Sequence, residues 1–242
     1  MYDMSFSEVK KLTNIIYELE HLSNDTDVRC KILSDISDLL NAQYSCSYVW
    51  DESERQFAQA YNRNISQQSA DIYQRHYQYH DPITFKMRQL GCSVVPEVMP
   101  YRDYYMTDYY NDVMRNEGMK FGINLYLFDG KRDIGDFRLW RDKNAGEFGQ
   151  RDKEILLLLE PHLKRSILQF EESANLYSSL TKREKEVALF ISKGLTDKEL
   201  AEYLNIGFST VRTHVTRVLN KLECSNRAEL AALLSSQTMT VR

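Results

Sequence analysis

Apolar residues recur with helical period near both ends of this chain and alternate in between. Val9, Leu12, Ile15, Ile16 and Leu19 form one stripe and predict an amphipathic helix near 6–22. Val28, Ile32, Leu33, Ile36, Leu39 and Leu40 predict a second near 26–41. Segments 44–50 and 56–61 read as strands around a polar turn at 51–55. Segment 66–80 reads as a helix stopped at Asp81-Pro82, because Pro disfavours helix in the residue before it. A further helix spans 101–117 and ends at Gly118. Phe121, Ile123, Leu125 and Leu127 alternate as on a half-buried strand over 121–128. Asp129-Gly130 marks a hairpin, and 133–141 returns as its partner strand. A long helix over 151–172 carries the run 155–159, then Leu163, Ile167, Leu168 and Phe170. A short antiparallel sheet flanked by helices makes an α+β domain over 1–172.

After a linker at 173–178 the pattern becomes purely helical, and 179–242 reads as an all-α domain of four helices. Thr181 followed by Glu184, and Thr196 followed by Glu199, are capping boxes that open helices near 182–192 and 197–204. Gly194 stops the first, and Asn205-Ile206-Gly207 is a turn. The third helix, near 209–222, has Val211, Val215, Val218, Leu219 and Leu222 on one stripe. Its other side carries Ser209, Arg212, Thr213, Thr216 and Asn220, with Arg217 and Lys221 flanking, and has no acidic residue. Hydroxyls, an amide and basic groups suit a groove lined with acceptors and phosphates. Asn226 followed by Glu229 caps a fourth helix with Leu230, Ala231, Leu233 and Leu234 on its apolar side.

These spaced signatures, Leu180-Thr-Lys-Arg-Glu184, Gly194-Leu-Thr-Asp-Lys-Glu-Leu-Ala201, Ser209-Thr-Val-Arg-Thr-His-Val215 and Asn220-Lys-Leu222, resemble the helix-turn-helix domain of LuxR-type bacterial transcription regulators. The resemblance implies that Arg212, Thr213 and Thr216 reach base edges. It implies that Thr196, Lys198, Thr210, His214, Lys221 and Arg227 lie near phosphates or the docking surface, with Ser209 and Arg217 on the same DNA-binding face. Gly207 stands where the family places a Ser cap, and Gly caps more weakly. The first domain is similar to the GAF- or PAS-like sensor domains found ahead of such modules. The residues carrying that likeness are Tyr77-Gln-Tyr-His-Asp81-Pro82, the 108–118 helix end, Phe137-Arg-Leu-Trp-Arg141, Phe148-Gly-Gln-Arg-Asp152 and Glu160-Pro-His-Leu163. Order and length also resemble the acyl-homoserine-lactone receptors. Trp50 and Trp140, 31 residues before and 59 after Asp81, depart from the Trp spacing of those receptors, so no ligand is named.

Charge sharpens the division. From residue 174 onward there are ten Lys and Arg against seven Asp and Glu, a formal +3, while the remainder carries −7. A basic small domain on an acidic larger one fits a nucleic-acid surface confined to the C-terminal part. Tyrosines crowd the stretch 73–110, and Trp50, Tyr61, Tyr77, Asp81, Tyr105 and Trp140 are the expected liners of a small-molecule pocket. The four cysteines are dispersed, so neither a metal site nor a disulfide framework is expected, and no cofactor. No Gly-x-Ser-x-Gly, His-Glu-x-x-His or phosphate-binding loop occurs, so no enzyme is expected. No run is long enough to span a membrane, and a cytoplasmic protein is expected. The resulting expectation is a DNA-binding transcription regulator acting as a homodimer on double-stranded promoter DNA. A small-molecule effector and RNA polymerase are its further expected partners. The alternative makes the first domain a ligand-free dimerisation and docking platform set by a protein partner.

Overall fold

The computed structural model describes residues 4–21 and 27–238. The expected ends of the first two helices, at 22 and 26, and residues 239–242 lie outside the described residues. The chain separates into two compact units, one containing Asp27–Leu168 and the other Gln169 onward.

The first unit is built on an antiparallel sheet of five strands in the order β2-β1-β5-β4-β3. The strands are β1 (Tyr44–Asp51), β2 (Gln56–Arg63), β3 (Cys92–Val94), β4 (Phe121–Asp129) and β5 (Arg132–Arg141). Helices α1 (Phe6–His21) and α2 (Val28–Leu39) precede it. Ser37 Oγ donates to Ser45 Oγ at 2.8 Å, which fixes α2 on one face of β1. Because side chains alternate along a strand, Cys46 and Tyr48 point to the other face. There they join Phe57, Tyr126 and Trp140 in a core with Tyr73, Tyr77, Tyr104, Tyr109, Met114 and Met119 from the intervening helices.

Those helices differ from the expected two. The first is α3 (Gln67–Ile72), a π-helical turn (Tyr73–Tyr77) and α4 (Gln78–His80) in succession. The segment expected as one helix over 101–117 is broken. α6 (Tyr101–Tyr104) stops, and Thr107 restarts the chain: its hydroxyl donates to Tyr104 O and accepts from Tyr110 N. A second π-turn (Tyr110–Met114) then leads into α7 (Arg115–Glu117), which ends at Gly118 with φ +84°. Helix α5 (Thr84–Leu90) and strand β3 were not anticipated, being too short to show a period. Strand β4 was expected to be half-buried. It is buried on both sides along most of its length, because β3 and β5 flank it and helices cover the sheet.

Helix α8 (Gln150–Ser178) runs through the expected linker at 173–178 without interruption. The second unit then holds α9 (Lys182–Ser192), α10 (Asp197–Leu204), α11 (Phe208–Lys221) and α12 (Arg227–Thr238). Both capping boxes are formed, at Thr181–Glu184 and Thr196–Glu199. Asn205 closes α10 in the left-handed conformation, φ +50°, and Asn226 Oδ1 accepts from Glu229 N at 2.9 Å. Val187, Ala188, Ile191, Leu200, Val211, Val218, Leu230 and Leu234 make one core within this unit.

Because α9, α10 and α12 carry side-chain caps and all four helices contribute to that core, residues 175–242 should fold when expressed alone. Circular dichroism of the fragment should show a helical spectrum with a cooperative melt; a disordered spectrum would contradict this.

Candidate nucleic-acid interface and sensor cavity

Helix α11 buries Val211, Val215 and Val218 and turns the rest of its circumference outward. Ser209, Thr210, Arg212, Thr213, Thr216, Arg217 and Asn220 are all exposed. Thr213 Oγ1 donates to Ser209 O at 3.0 Å, tying one hydroxyl back to the helix. Gly207 supplies no side-chain cap, and Phe208 is 52% exposed at the first helical position. A groove beside α11 brings Arg212, Thr216 and Phe208 together with Thr196 and Lys198 from the start of α10, and with Arg227. Arg212, Arg217 and Lys198 have no ion-pair partner among the described residues, so their charge faces outward unopposed. Thr196 is committed to its capping box, its hydroxyl donating to Glu199 Oε2 at 2.8 Å.

Two residues expected near phosphates have partners inside the domain instead. Lys221 donates to Ser179 O at 2.9 Å and to Glu184 Oε2 at 2.7 Å. It thereby ties the end of α11 to the start of α9. With Thr181 N also donating, Glu184 is held at a pKa of about 2, well below the ordinary carboxylate range. Arg227 pairs with Asp197 and donates to Leu195 O, clamping α12 to the head of α10. His214 is half-buried, and its Nδ1 has no hydrogen-bond partner among the described residues. The remaining cations of the set, Lys198, Arg212 and Arg217, share the outward-facing surface.

The six expected pocket liners of the first unit scatter. A cavity of about 20 Å³ lies beneath the sheet face, walled by Cys46, Tyr48, Tyr73, Tyr109, Met114 and Trp140 among others. Of the expected six, Trp140 alone is on its wall. Trp50 packs edge-on against Phe57 and Phe85. Tyr61 sits on β2, its hydroxyl 3.1 Å from Asp27 Oδ2. The Tyr77 hydroxyl bonds to Asp112. Asp81 turns inward to accept from Ile83 N, Thr84 N and the Thr84 hydroxyl, so it organises the start of α5. Burial raises its carboxyl pKa. Tyr105 stacks on Tyr101 with centroids 5.4 Å apart.

Sequence reasoning missed Arg138. It is 1% exposed, lines the cavity, and its guanidinium carbon lies 4.9 Å from the Tyr48 ring and 4.2 Å from that of Phe57. Its Nε donates to Asp136 Oδ2 at 2.8 Å, and its Nη1 to the Tyr73 hydroxyl at 2.5 Å. The signal was available: on a strand over 133–141, Arg138 shares the face of Trp140. The Cys46 thiol beside it is pushed up in pKa by burial. No group of three or more His, Cys, Asp or Glu that could hold a metal occurs among the described residues. Nor, among them, is any helix long and apolar enough to cross a membrane.

Residues 178–234 match the family model of bacterial regulatory proteins, luxR family. The second unit is a LuxR-family domain. Over 170 residues the chain is similar to a monoamine regulon transcriptional regulator of Klebsiella aerogenes, 28% identical across 70% of this chain and 74% of that protein. It is also similar to the response regulator protein VraR of Staphylococcus aureus, 29% identical over 51% of this chain, of whose length it spans 56%. In fold it is similar to Escherichia coli SdiA, at 19% identity and a TM-score of 0.51, covering 97% of this chain and 99% of that one. The first unit's fold is similar to a GAF domain of a phosphoenolpyruvate-protein phosphotransferase from Coxiella burnetii. There the identity is 9% and the TM-score 0.52, over 69% of this chain and 96% of that one. The LuxR-family match thus covers the second unit, and the first unit has a GAF-like fold.

Lys221→Ala should lower the melting temperature, at a cost of about 1 kcal/mol for a half-exposed charged pair. It should leave the salt dependence of DNA affinity unchanged, whereas Lys198→Ala should reduce that slope by about one. Equal salt slopes in the two variants would contradict the assignment. The Glu184 contribution has a definite pH window. A carboxyl depressed to about 2 stabilises fully above its ordinary value of 4.5, and the stabilisation is lost as pH falls from there toward 2. Lys221→Ala should therefore lose its difference from the wild type at the acid end of that window.

Proposed function

We propose that this chain is a homodimeric regulator that lays α11 in the major groove of promoter DNA and responds to a small molecule held in its first unit. The observation that carries the DNA-binding part is the acid-free outer face of α11. Arg212, Arg217, Thr213, Thr216 and Asn220 are exposed there, beside Lys198. Arg212, Thr213 and Thr216 are the base readers of this proposal, and a bidentate Arg–guanine contact contributes about 1–3 kcal/mol of discrimination. Ser209, Thr210, Lys198 and Arg217 are the phosphate contacts.

Dimerisation follows from the limits of one domain. A single helix-turn-helix with a formal +3 charge reads a short half-site. Two copies add their contacts on half-sites about 34–36 Å apart. Within the first unit, α1 adjoins α8 through Glu8–Arg151 and through Ser166 Oγ donating to Leu19 O. Phe6, Val9, Leu157 and Leu158 remain exposed on these helices and supply an apolar face for a second copy. RNA polymerase is the further partner of a promoter-bound regulator, and the cytoplasm is the compartment in which such a protein meets its DNA. The docking-platform alternative is favoured by the small size of the cavity, which holds roughly one water.

Selection of duplexes from a random pool by the full-length protein should yield an inverted repeat, bound two protomers to one duplex by analytical ultracentrifugation. Arg212→Ala should flatten preference at one base pair per half-site. A single unrepeated site bound by one protomer would overturn the dimeric reading.

A further inference from the structure

We propose that the cavity of the first unit takes a small apolar monocarboxylate, gripped by the Arg138 guanidinium together with the Tyr73 hydroxyl. This deepens, and rests on, the sensor reading above.

Arg138 is the one charged side chain among the cavity's described walls; Ile65, Ala70, Val113, Met114 and Met119 make much of the rest apolar. A buried guanidinium has to be compensated, and Asp136 does this only in part. A guanidinium carries five N–H donors. Hydrogen bonds use two of them, one to Asp136 and one to Tyr73. Nη2 lies 2.7 Å from Asp136 Oδ2, yet that contact does not have hydrogen-bond geometry. Proximity gives charge attraction there, while the Nη2 hydrogens lack an acceptor. Asp136 cannot turn to serve them, because its other oxygen accepts from Tyr48 N at 2.7 Å. The wall thus presents unfilled donors in a planar fork, among mostly apolar side chains. A carboxylate matches such a fork with two acceptors, where an amide or ester carbonyl offers one.

Charge balance decides what else happens. A bound carboxylate and Asp136 would be two anions on one guanidinium, and both Asp136 and Arg138 are buried. One of them must take a proton. Burial has already raised the Asp136 carboxyl to about 6, so Asp136 is the group that does so. Facing it from β1 are the Tyr48 amide and the Cys46 thiol; from β4, Tyr126 is its register partner. Its own strand supplies Arg138 and Asp133, and Asp133 is held by Arg88 of α5. From α2, Arg29 packs against Gly135. No described histidine or lysine faces it, so the proton comes from solvent on binding.

Space is the remaining requirement. About 20 Å³ accommodates little more than one water, so the body of the acid has to displace side chains. Met114 and Met119 are suited to this, since the unbranched thioether chain has three rotatable bonds. Met114 also sits in a π-turn, as does Tyr73. Interrupted helical registers of this kind occur often at functional sites.

The test measures binding of hexanoate, benzoate and phenylacetate, and of their primary amides, to the full-length protein by calorimetry between pH 5.5 and 8.5. At least one acid should bind, with its amide at least tenfold weaker. The dissociation constant of that acid should rise toward tenfold per pH unit above about 6, with close to one proton taken up per ligand in buffers of different ionisation enthalpy. Asp136→Asn, which still offers an oxygen to Tyr48 N, should bind the acid more tightly at pH 8 and lose the pH dependence. If that variant does not fold, the wild-type proton uptake and pH profile decide the matter without it. Amides that bind as well as acids, or a flat pH profile, would overturn the carboxylate class and leave the sensor reading standing. If no acid binds but native mass spectrometry finds an uncharged compound retained by the protein, the class again falls alone. If no acid or amide binds and no small molecule is retained, both readings fall.

Discussion

Strand β5 carries four charged residues into the interior, and the need to compensate each of them organises the first unit. Removing one partner from a buried ion pair costs about 3–5 kcal/mol, so each charge fixes the element that answers it. Asp133 is answered by Arg88 on α5, and Asp136 by the Tyr48 amide on β1 as well as by Arg138. Arg138 reaches Tyr73 in the first π-turn. Arg141 donates to Leu40 O at the end of α2 and pairs with Asp152 at 2.8 Å in the first turn of α8. Four side chains of one strand therefore reach a helix before the sheet's second half, a neighbouring strand, the aromatic helices and the helices on the opposite face. Gly135 permits this strand to run as it does: at φ +135°, a Cβ there would come within 2.7 Å of Arg29 Cδ.

The same constraint explains where chemistry is available. Side chains pointing to the α2 and α8 face are closed by Arg141 and its partners. Those pointing the other way meet an aromatic layer whose hydroxyls compete for few acceptors. Burial raises the pKa of Tyr73, Tyr104, Tyr109 and Tyr126, so these phenols stay protonated; the Tyr73 hydroxyl accepts from Arg138 Nη1 and that of Tyr126 from Asn124 Nδ2. In the second unit, charge pairs serve the frame instead. Lys221–Glu184 and Arg227–Asp197 join the helices to one another, while Lys198, Arg212 and Arg217 stay exposed on the α10–α11 side.

How much of this was legible in the sequence depends on the range of the interaction involved. The helices of the second unit were readable because caps and stripes are local: Thr181, Thr196, Asn205 and Asn226 each act within a few residues. Strands β1, β2, β4 and β5 were readable from alternation and turn chemistry. The break at Thr107 and the π-turns were not, because they come from a hydroxyl competing for backbone groups and from packing against the sheet. β3 is three residues long, too short to carry a period. The candidate pocket was less legible than the fold. Tyrosine density located the aromatic layer correctly, yet only Trp140 of the six chosen residues lines the cavity. Asp81 looked like a ligand group and is a turn-forming one. Lys221 looked like a phosphate contact and has partners inside the domain. In both cases the deciding partner is a backbone group or a distant side chain that spacing does not reveal.

Entry of α11 into the major groove is the central proposal for this protein. Methylation protection on a selected duplex reads this directly, because guanine N7 lies in that groove. Two protected guanine patches about 10–10.5 base pairs apart, both lost when Arg212 is replaced by alanine, are the predicted result. Protection confined to minor-groove adenine positions, or a duplex bound with no N7 protected, would contradict it.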